Sequence, residues 1–218
     1  AENGPRWLAV DQGLMRLGAA NAVRGSQAPV EELAYILGDC GARALVLEDA
    51  SLLEPLQAAG ALAGLRFVLL LHGEVPATGA PVPLLSWHEL LAAGSHRSAV
   101  LEPADGPESR LATILYTSGT TGRPKGVPLS QANLLHQVRT LGVAVSPQPG
   151  ERVLSVLPIW HAYERSAGYL LLSRGCCQSY TNLRQFKGDL QRVRPHYLIS
   201  VPRLWEALYG GFQGALEG

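Results

Sequence analysis

The run Leu115-Tyr116-Thr117-Ser118-Gly119-Thr120-Thr121-Gly122-Arg123-Pro124-Lys125-Gly126-Val127 sets four hydroxyl residues, three glycines and one lysine between two apolar segments. Upstream, Leu111, Thr113, Ile114 and Leu115 form an apolar run with β-branched members. Downstream, Leu134, Leu135, Val138 and Leu141 recur at amphipathic spacing from Ser130 onward. The pattern predicts strand, tight loop, helix.

Glycine lets backbone N–H groups turn inward at positive φ and approach a ligand closely. Thr117, Ser118, Thr120 and Thr121 add hydroxyl donors, and Lys125 adds a full positive charge. Such a loop suits an anion, and a string of phosphates fits it because amides, hydroxyls and an ammonium can share the charge. A Walker A loop needs its lysine followed by Ser or Thr to hold magnesium. Here Lys125 lies between Pro124 and Gly126, so that spacing fails. A plain Ser/Thr/Gly linker would not be expected between a strand and a helix with a Pro-Lys-Gly exit.

The 218 residues suffice for one large domain or part of a bigger one, and a content of 47% hydrophobic and 17% charged residues can fill a core. Net charge is zero and no basic run offers an electrostatic footprint, which argues against nucleic acid as a partner. Three cysteines, two of them adjacent at Cys176 and Cys177, give neither a disulfide framework nor a Cys-x-x-Cys pair. They are expected as core or half-buried thiols in a reducing compartment, and a cytoplasmic location follows. The apolar run Leu65 to Leu71 is broken by Arg66 and falls short of the ~20 residues that span a bilayer. Without a signal peptide or an initiator Met, Ala1 is expected not to be the natural start.

Trp7, Val10, Leu14 and Leu17 predict an opening helix, and Ala19 to Arg24 a short strand and turn. Pro29 suits the first turn of a second helix. Strands over Ala44–Leu47 and Phe67–Leu71 alternate with helices over Leu52–Ala59 and Trp87–Ala93, a pattern that indicates parallel strands covered by helices. Gly73 to Pro83 and Pro103 to Pro107 are expected as surface connections. Farther on, strands are expected at Val153–Leu157, Cys176–Tyr180 and Tyr197–Val201. Helices are expected over Trp160–Ser173, Leu183–Val193 and Arg203–Tyr209.

The ten consecutive residues Thr117 to Gly126 resemble the phosphate-loop signature of the adenylate-forming superfamily, which includes acyl-CoA synthetases, luciferases and the adenylation domains of peptide synthetases. Leu157-Pro158-Ile159-Trp160-His161-Ala162-Tyr163-Glu164-Arg165 is similar to the Leu-Pro-x-x-His-x-x-Glu-Arg segment of long-chain fatty-acid ligases, and Val201-Pro202-Arg203-Leu204-Trp205-Glu206 to a segment farther along in that group. Likeness to the acyl-acyl-carrier-protein synthetases of cyanobacteria and plastids extends into Asn3-Gly4-Pro5-Arg6-Trp7 and Ala20 to Gln27.

The resemblance implies an α/β fold of mostly parallel sheets flanked by helices, with residues 1–218 forming an incomplete large amino-terminal domain. It implies a ligase that converts a long-chain fatty acid and ATP to an acyl-adenylate and pyrophosphate, then passes the acyl group to a thiol, the phosphopantetheine of acyl carrier protein or coenzyme A. Thr117, Ser118, Gly119, Thr120, Thr121, Gly122 and Lys125 then contact phosphate, with Thr117 also at a magnesium-contacting position, and Arg123 is loop surface. Further family motifs are expected beyond Gly218, so the 218-residue piece is not expected to run the reaction alone.

His161 is the second catalytic candidate, able to donate a hydrogen bond to a carboxylate or adenylate. Its i, i+3 spacing to Glu164 is that of a metal pair, but no third ligand is near, and Glu164 with Arg165 suits an ion pair or helix packing. Trp160, Tyr163 and Tyr169 could line an alkyl tunnel or pack the core. Arg203 and Trp205 are expected to support the site structurally. His72, His88, His96, His136 and His196 have no sequence partners and are taken as surface or core residues. Pro128 and Gln131 depart from the family pattern after the loop. No Gly-x-Ser-x-Gly elbow supports a hydrolase. A non-catalytic nucleotide-binding remnant, or an adenylating enzyme for another acid, remains as an alternative. Peripheral membrane contact is expected where long-chain acids partition.

Overall fold

The apolar spacing at the head of the chain becomes α1 (Pro5–Arg16), which starts on proline and buries Trp7 and Asp11. Gly18, at φ 68°, reverses the chain, and the amide of Ala19 closes back on Leu14 O at 2.9 Å. The computed structural model describes residues 1–77, 79–95, 106–117 and 122–216. Contacts divide the chain into two units, Ala1–Leu135 and His136–Gly218.

The first unit holds two three-stranded sheets. In one, β2 (Leu45–Leu47), β3 (Val68–Leu70) and β4 (Leu84–Ser86) run parallel in the order β2-β3-β4. The central strand is buried along its whole length, with Val68 and Leu70 fully enclosed, which is why it is a continuous apolar run. Leu47, Leu53, Leu56, Leu62, Leu65, Val68 and Leu70 make the core here, and each such side chain contributes roughly 1.5–3 kcal/mol on burial. The helix α2 (Val30–Asp39) precedes these strands, α3 (Leu53–Ala58) lies between β2 and β3, and α4 (Trp87–Ser95) follows β4. Pro29 caps α2 from just outside it. Ser86 and Glu89 bond reciprocally across the start of α4, Glu89 accepting from the Ser86 amide at 2.7 Å and Ser86 Oγ from the Glu89 amide at 3.2 Å. The strand β4 was not expected. It is three residues long and follows the Pro- and Gly-rich stretch that marks a surface connection.

The second sheet has the order β1-β5-β6, from β1 (Asn21–Val23), β5 (Leu111–Thr117) and β6 (Lys125–Ser130). β1 is parallel to β5, and β6 is antiparallel to it. The expected passage from loop straight to helix is therefore corrected. The chain forms a hairpin first, and α5 (Gln131–Thr140) begins only after β6. Gly126 and Pro128 hide this strand from a propensity reading. Pro128 is tolerated because β6 is an edge strand among the described residues, where a missing N–H costs no ladder bond. At its end Ser130 Oγ accepts from the Asn133 amide at 3.2 Å while Asn133 Oδ1 accepts from the Ser130 amide at 2.9 Å, and this box starts the helix.

In the second unit, β7 (Arg152–Ser155), β8 (Cys177–Tyr180) and β9 (Tyr197–Leu198) form a parallel sheet in the order β8-β7-β9. Val153, Leu171, Cys176 and Ile199 form its core. The helices are α6 (Ala162–Ser173), α7 (Phe186–Val193) and α8 (Pro202–Leu216). α7 begins three residues later than expected because Asn182 Oδ1 captures the amides of Arg184 and Gln185 at 3.0 and 3.1 Å, making a side-chain turn out of the first residues. Cys176 is buried and Cys40 half-buried as expected, whereas Cys177, one residue on in the strand, is exposed. Among the described residues no helix is long and apolar enough to cross a membrane.

Candidate functional site

The hairpin β5/β6 frames the segment from Thr117 to Gly126. Ala112, Thr113, Leu115 and Tyr116 are buried in β5, which fixes that strand on both faces. Its last residue, Thr117, is the register partner of Lys125, the first residue of β6. Directly opposed residues of an antiparallel pair project from the same face, so hydroxyl and ammonium rise together at the mouth of the hairpin. Both residues are exposed. Ser118, Gly119, Thr120 and Thr121 lie outside the described residues. Gly122 is exposed at φ +86° with no atom within 4 Å of where a Cβ would stand, so the backbone conformation, not crowding, calls for glycine there.

The opposite face of the hairpin is closed. A Cβ on Gly126 would come within 2.9 Å of Ile114 Cγ2 and 3.2 Å of Tyr116 Cζ, so the tyrosine ring lies directly against the backbone beside Lys125. The Tyr116 hydroxyl donates to Asp39 Oδ2 at 2.6 Å, and the Tyr35 hydroxyl to Asp39 Oδ1 at 3.2 Å. Burial, and then the bond to Asp39, push the Tyr116 phenol well above its usual value, so it stays protonated as a donor. Arg123 stands 5.6 Å over the Tyr35 ring. Arg123 is exposed, as expected for loop surface, yet it has an aromatic partner in α2. Nothing in the local sequence pattern points from Arg123 or Tyr116 to Tyr35 and Asp39.

Among the described residues there is no group of three or more His, Cys, Asp or Glu side chains that could hold a metal ion. Thr117 offers one neutral oxygen, too little by itself to hold magnesium without oxygens from a bound phosphate.

His161 stands just outside α6 as its N-cap, exposed, with its ring 6.3 Å from that of Trp160. The i, i+3 metal-pair geometry with Glu164 does not form, because Glu164 is turned inward and accepts the Ser155 hydroxyl. Glu164 and Arg165 are both 1% exposed, and Arg165 Nε donates to Tyr169 Oη at 2.7 Å with its guanidinium 5.7 Å over that ring. Both are packed into the interior, in keeping with the helix-packing alternative. Burial, with Glu164 nearby, pushes the Tyr180 phenol up to about 12. Tyr169 is buried in this packing, Trp160 is half-buried, and Tyr163 is exposed. Arg203 and Trp205 are exposed on α8, while Leu204 and Leu208 take the half-buried positions. His196 Nδ1 accepts from the Arg152 amide at 3.0 Å and His72 lies 3.4 Å from Glu48. His88 and His136 are exposed, and His96 is outside the described residues.

The profile of the AMP-binding enzyme family matches residues 1–217. The chain belongs to this family. Among its relatives, "Probable acyl-activating enzyme 16, chloroplastic" of Arabidopsis thaliana is 43% identical over 98% of the chain. "Long-chain-fatty-acid--[acyl-carrier-protein] ligase AEE15, chloroplastic", from the same plant, is 41% identical over 98%. "Long chain acyl-CoA synthetase 7, peroxisomal", also from that plant, is 29% identical over 99%. The chain spans 31% of the length of each. Among solved AMP-binding folds, apo MatB from Rhodopseudomonas palustris superposes with a TM-score of 0.75 at 26% identity, covering 95% of this chain and 39% of that one. The anthranilate CoA ligase AuaEII in complex with anthranoyl-AMP gives 0.77 at 22%, covering 91% and 38%, and shares the fold. The mostly parallel α/β architecture expected from the sequence is thus the adenylate-forming one.

Proposed function

We propose that this chain is part of a long-chain fatty-acid ligase, supplying its phosphate loop and part of its acyl site. A carboxylate oxygen of the fatty acid attacks the α-phosphorus of ATP, the bond to the bridging oxygen breaks, and pyrophosphate leaves with that electron pair. A thiolate sulfur then attacks the acyl carbonyl of the adenylate, and AMP leaves. The thiol belongs to phosphopantetheine on acyl carrier protein or to coenzyme A. Relatives named for both acceptors match the chain, the carrier-protein ligase at higher identity.

The observation that carries this reading is the register pairing of Thr117 with Lys125 across the hairpin that bears the matched loop. It sets an ammonium and a hydroxyl side by side on an exposed rim, with the proposed donors Ser118, Gly119, Thr120, Thr121 and Gly122 between them. Lys125 would neutralise charge on the β- and γ-phosphates, and positioning supplies most of the remaining rate. Thr117 would be the residue that holds magnesium, which would supply further charge neutralisation at the phosphates. His161 is assigned to hydrogen bonding at the acyl carboxylate, and its exposed place at the head of α6 leaves it free to meet a substrate. Location is proposed as cytoplasmic with peripheral membrane contact, although two plant relatives are named chloroplastic. Fractionation of the tagged protein separates the two.

The test is ATP–pyrophosphate exchange in the polypeptide that carries these residues, with palmitate, benzoate and an amino acid as alternative acids. Exchange with palmitate alone is expected, and Lys125→Ala should lower it roughly 100-fold. Equal exchange with benzoate would move the protein to another adenylating class, and undiminished exchange in Lys125→Ala would remove the phosphate role from the loop.

A further inference from the structure

The exit of the loop is tied to α2 by a closed set of contacts. Arg123 stacks 5.6 Å over the ring of Tyr35, and the Tyr35 hydroxyl donates to Asp39 at 3.2 Å. Asp39 also takes the Tyr116 hydroxyl at 2.6 Å, and the Tyr116 ring presses against Gly126, three residues along from Arg123. Tyr35 and Asp39 are one helical turn apart, so both reach the hairpin from the same side of α2. Asp39 is the last residue of that helix, where the macrodipole disfavours a carboxylate. Two tyrosine hydroxyls compensate it there. Among the described residues β6 pairs with one strand, β5, and these side chains supply a second constraint on its backbone.

We propose that Tyr35 and Asp39 are positioning residues for the phosphate loop: they set the place of Arg123 and Gly126, and through them the place of Lys125 opposite Thr117. Neither touches the ligand. The proposal rests on the reading that the loop grips phosphate, and the experiment separates the two. In the full-length polypeptide that carries these residues, tripolyphosphate and Mg·ATP are titrated calorimetrically, and amide exchange is followed without ligand. Tyr35→Ala should raise the Kd for tripolyphosphate roughly three- to tenfold, while Tyr35→Phe, which keeps the ring under Arg123, should raise it less than about threefold. In an Arg123→Ala background Tyr35→Ala should add less than about twofold, because the pair acts as a unit. A residue that served stability alone would give the same factor in both backgrounds. Without ligand, amides of residues 122–127 should exchange faster in Tyr35→Ala and Asp39→Ala, with those of β3 unchanged.

Wild type that binds, Lys125→Ala that does not, and Tyr35→Ala that binds as wild type would overturn the positioning role and leave the phosphate reading intact. So would equal factors in the two backgrounds. Wild type that does not bind tripolyphosphate would overturn the phosphate reading and the positioning role with it, while exchange at 122–127 would still report whether α2 holds the hairpin.

Discussion

Gly126→Ala is the smallest change that probes the hairpin from within. The added Cβ would lie 2.9 Å from Ile114 Cγ2, 3.2 Å from Tyr116 Cζ and 3.3 Å from Tyr116 Oη. The first contact is shorter than side chains tolerate. Ile114 is β-branched and stiff at χ1, so its methyl cannot swing clear without leaving its rotamer. The tyrosine is held at its far end by Asp39, at 2.6 Å. Something must move by several tenths of an ångström, and overpacking of this kind costs about 1–3 kcal/mol. Urea unfolding should therefore show a lower midpoint with an unchanged slope. In an Ile114→Ala background the worst contact is gone, and the penalty should shrink by more than about 0.5 kcal/mol. Gly122→Ala is the control. That site is open but lies at φ +86°, so its cost of about 1–2 kcal/mol comes from the backbone and should not respond to Ile114→Ala. Gly126→Ala within about 0.5 kcal/mol of wild type, or a penalty equal in both backgrounds, would refute the steric argument.

Leu154→Ala, at a fully enclosed position in the middle strand β7, should cost about 2–5 kcal/mol in urea unfolding. Ser130→Ala removes the hydroxyl that caps α5 and should cost about 1 kcal/mol by the same measurement. Tyr180 gives a pH signature: its phenol ionises near 12 in the folded chain against about 10 when unfolded. The folded state disfavours the charged form, so this stability is whole below pH ~10 and is lost as pH rises toward about 12. Tyr180→Phe should flatten the fall of thermal stability in that window, and an unchanged profile would count against burial as its cause.

The elements that could be read from sequence are those whose identity is decided locally. Val68 to Leu70 form a continuous apolar run because both faces of a central parallel strand are covered, and the structure buries all three. Pro5 and Pro29 stand at or just before helix starts, where a missing N–H costs nothing. β6 is hard to read from sequence for the opposite reason. Gly126 is required by Tyr116 across the strand, and Pro128 is permitted by the free edge, so two residues that argue against a strand are there because of what surrounds it.

The candidate site divides along the same line. The residues proposed to hold phosphate form one contiguous motif, so pattern alone brings Thr117 and Lys125 to attention. What fixes them in space is remote: Asp39 and Tyr116 are 77 positions apart in the chain, and no helical or strand period connects such positions. Arg123 shows the consequence. Within the loop it has no neighbour that would distinguish it from a solvated side chain, and only the fold reveals Tyr35 beneath it. Glu164 and Arg165 show the converse. Adjacent charges on a helix suggest a surface pair, yet both are buried, one taking a serine hydroxyl from β7 and the other donating to a tyrosine a turn away. Buried charge survives only where hydrogen bonds meet it. The partners that meet it here, Ser155 and Tyr169, have a bland look in sequence, and for that reason the motif around His161 conceals its support.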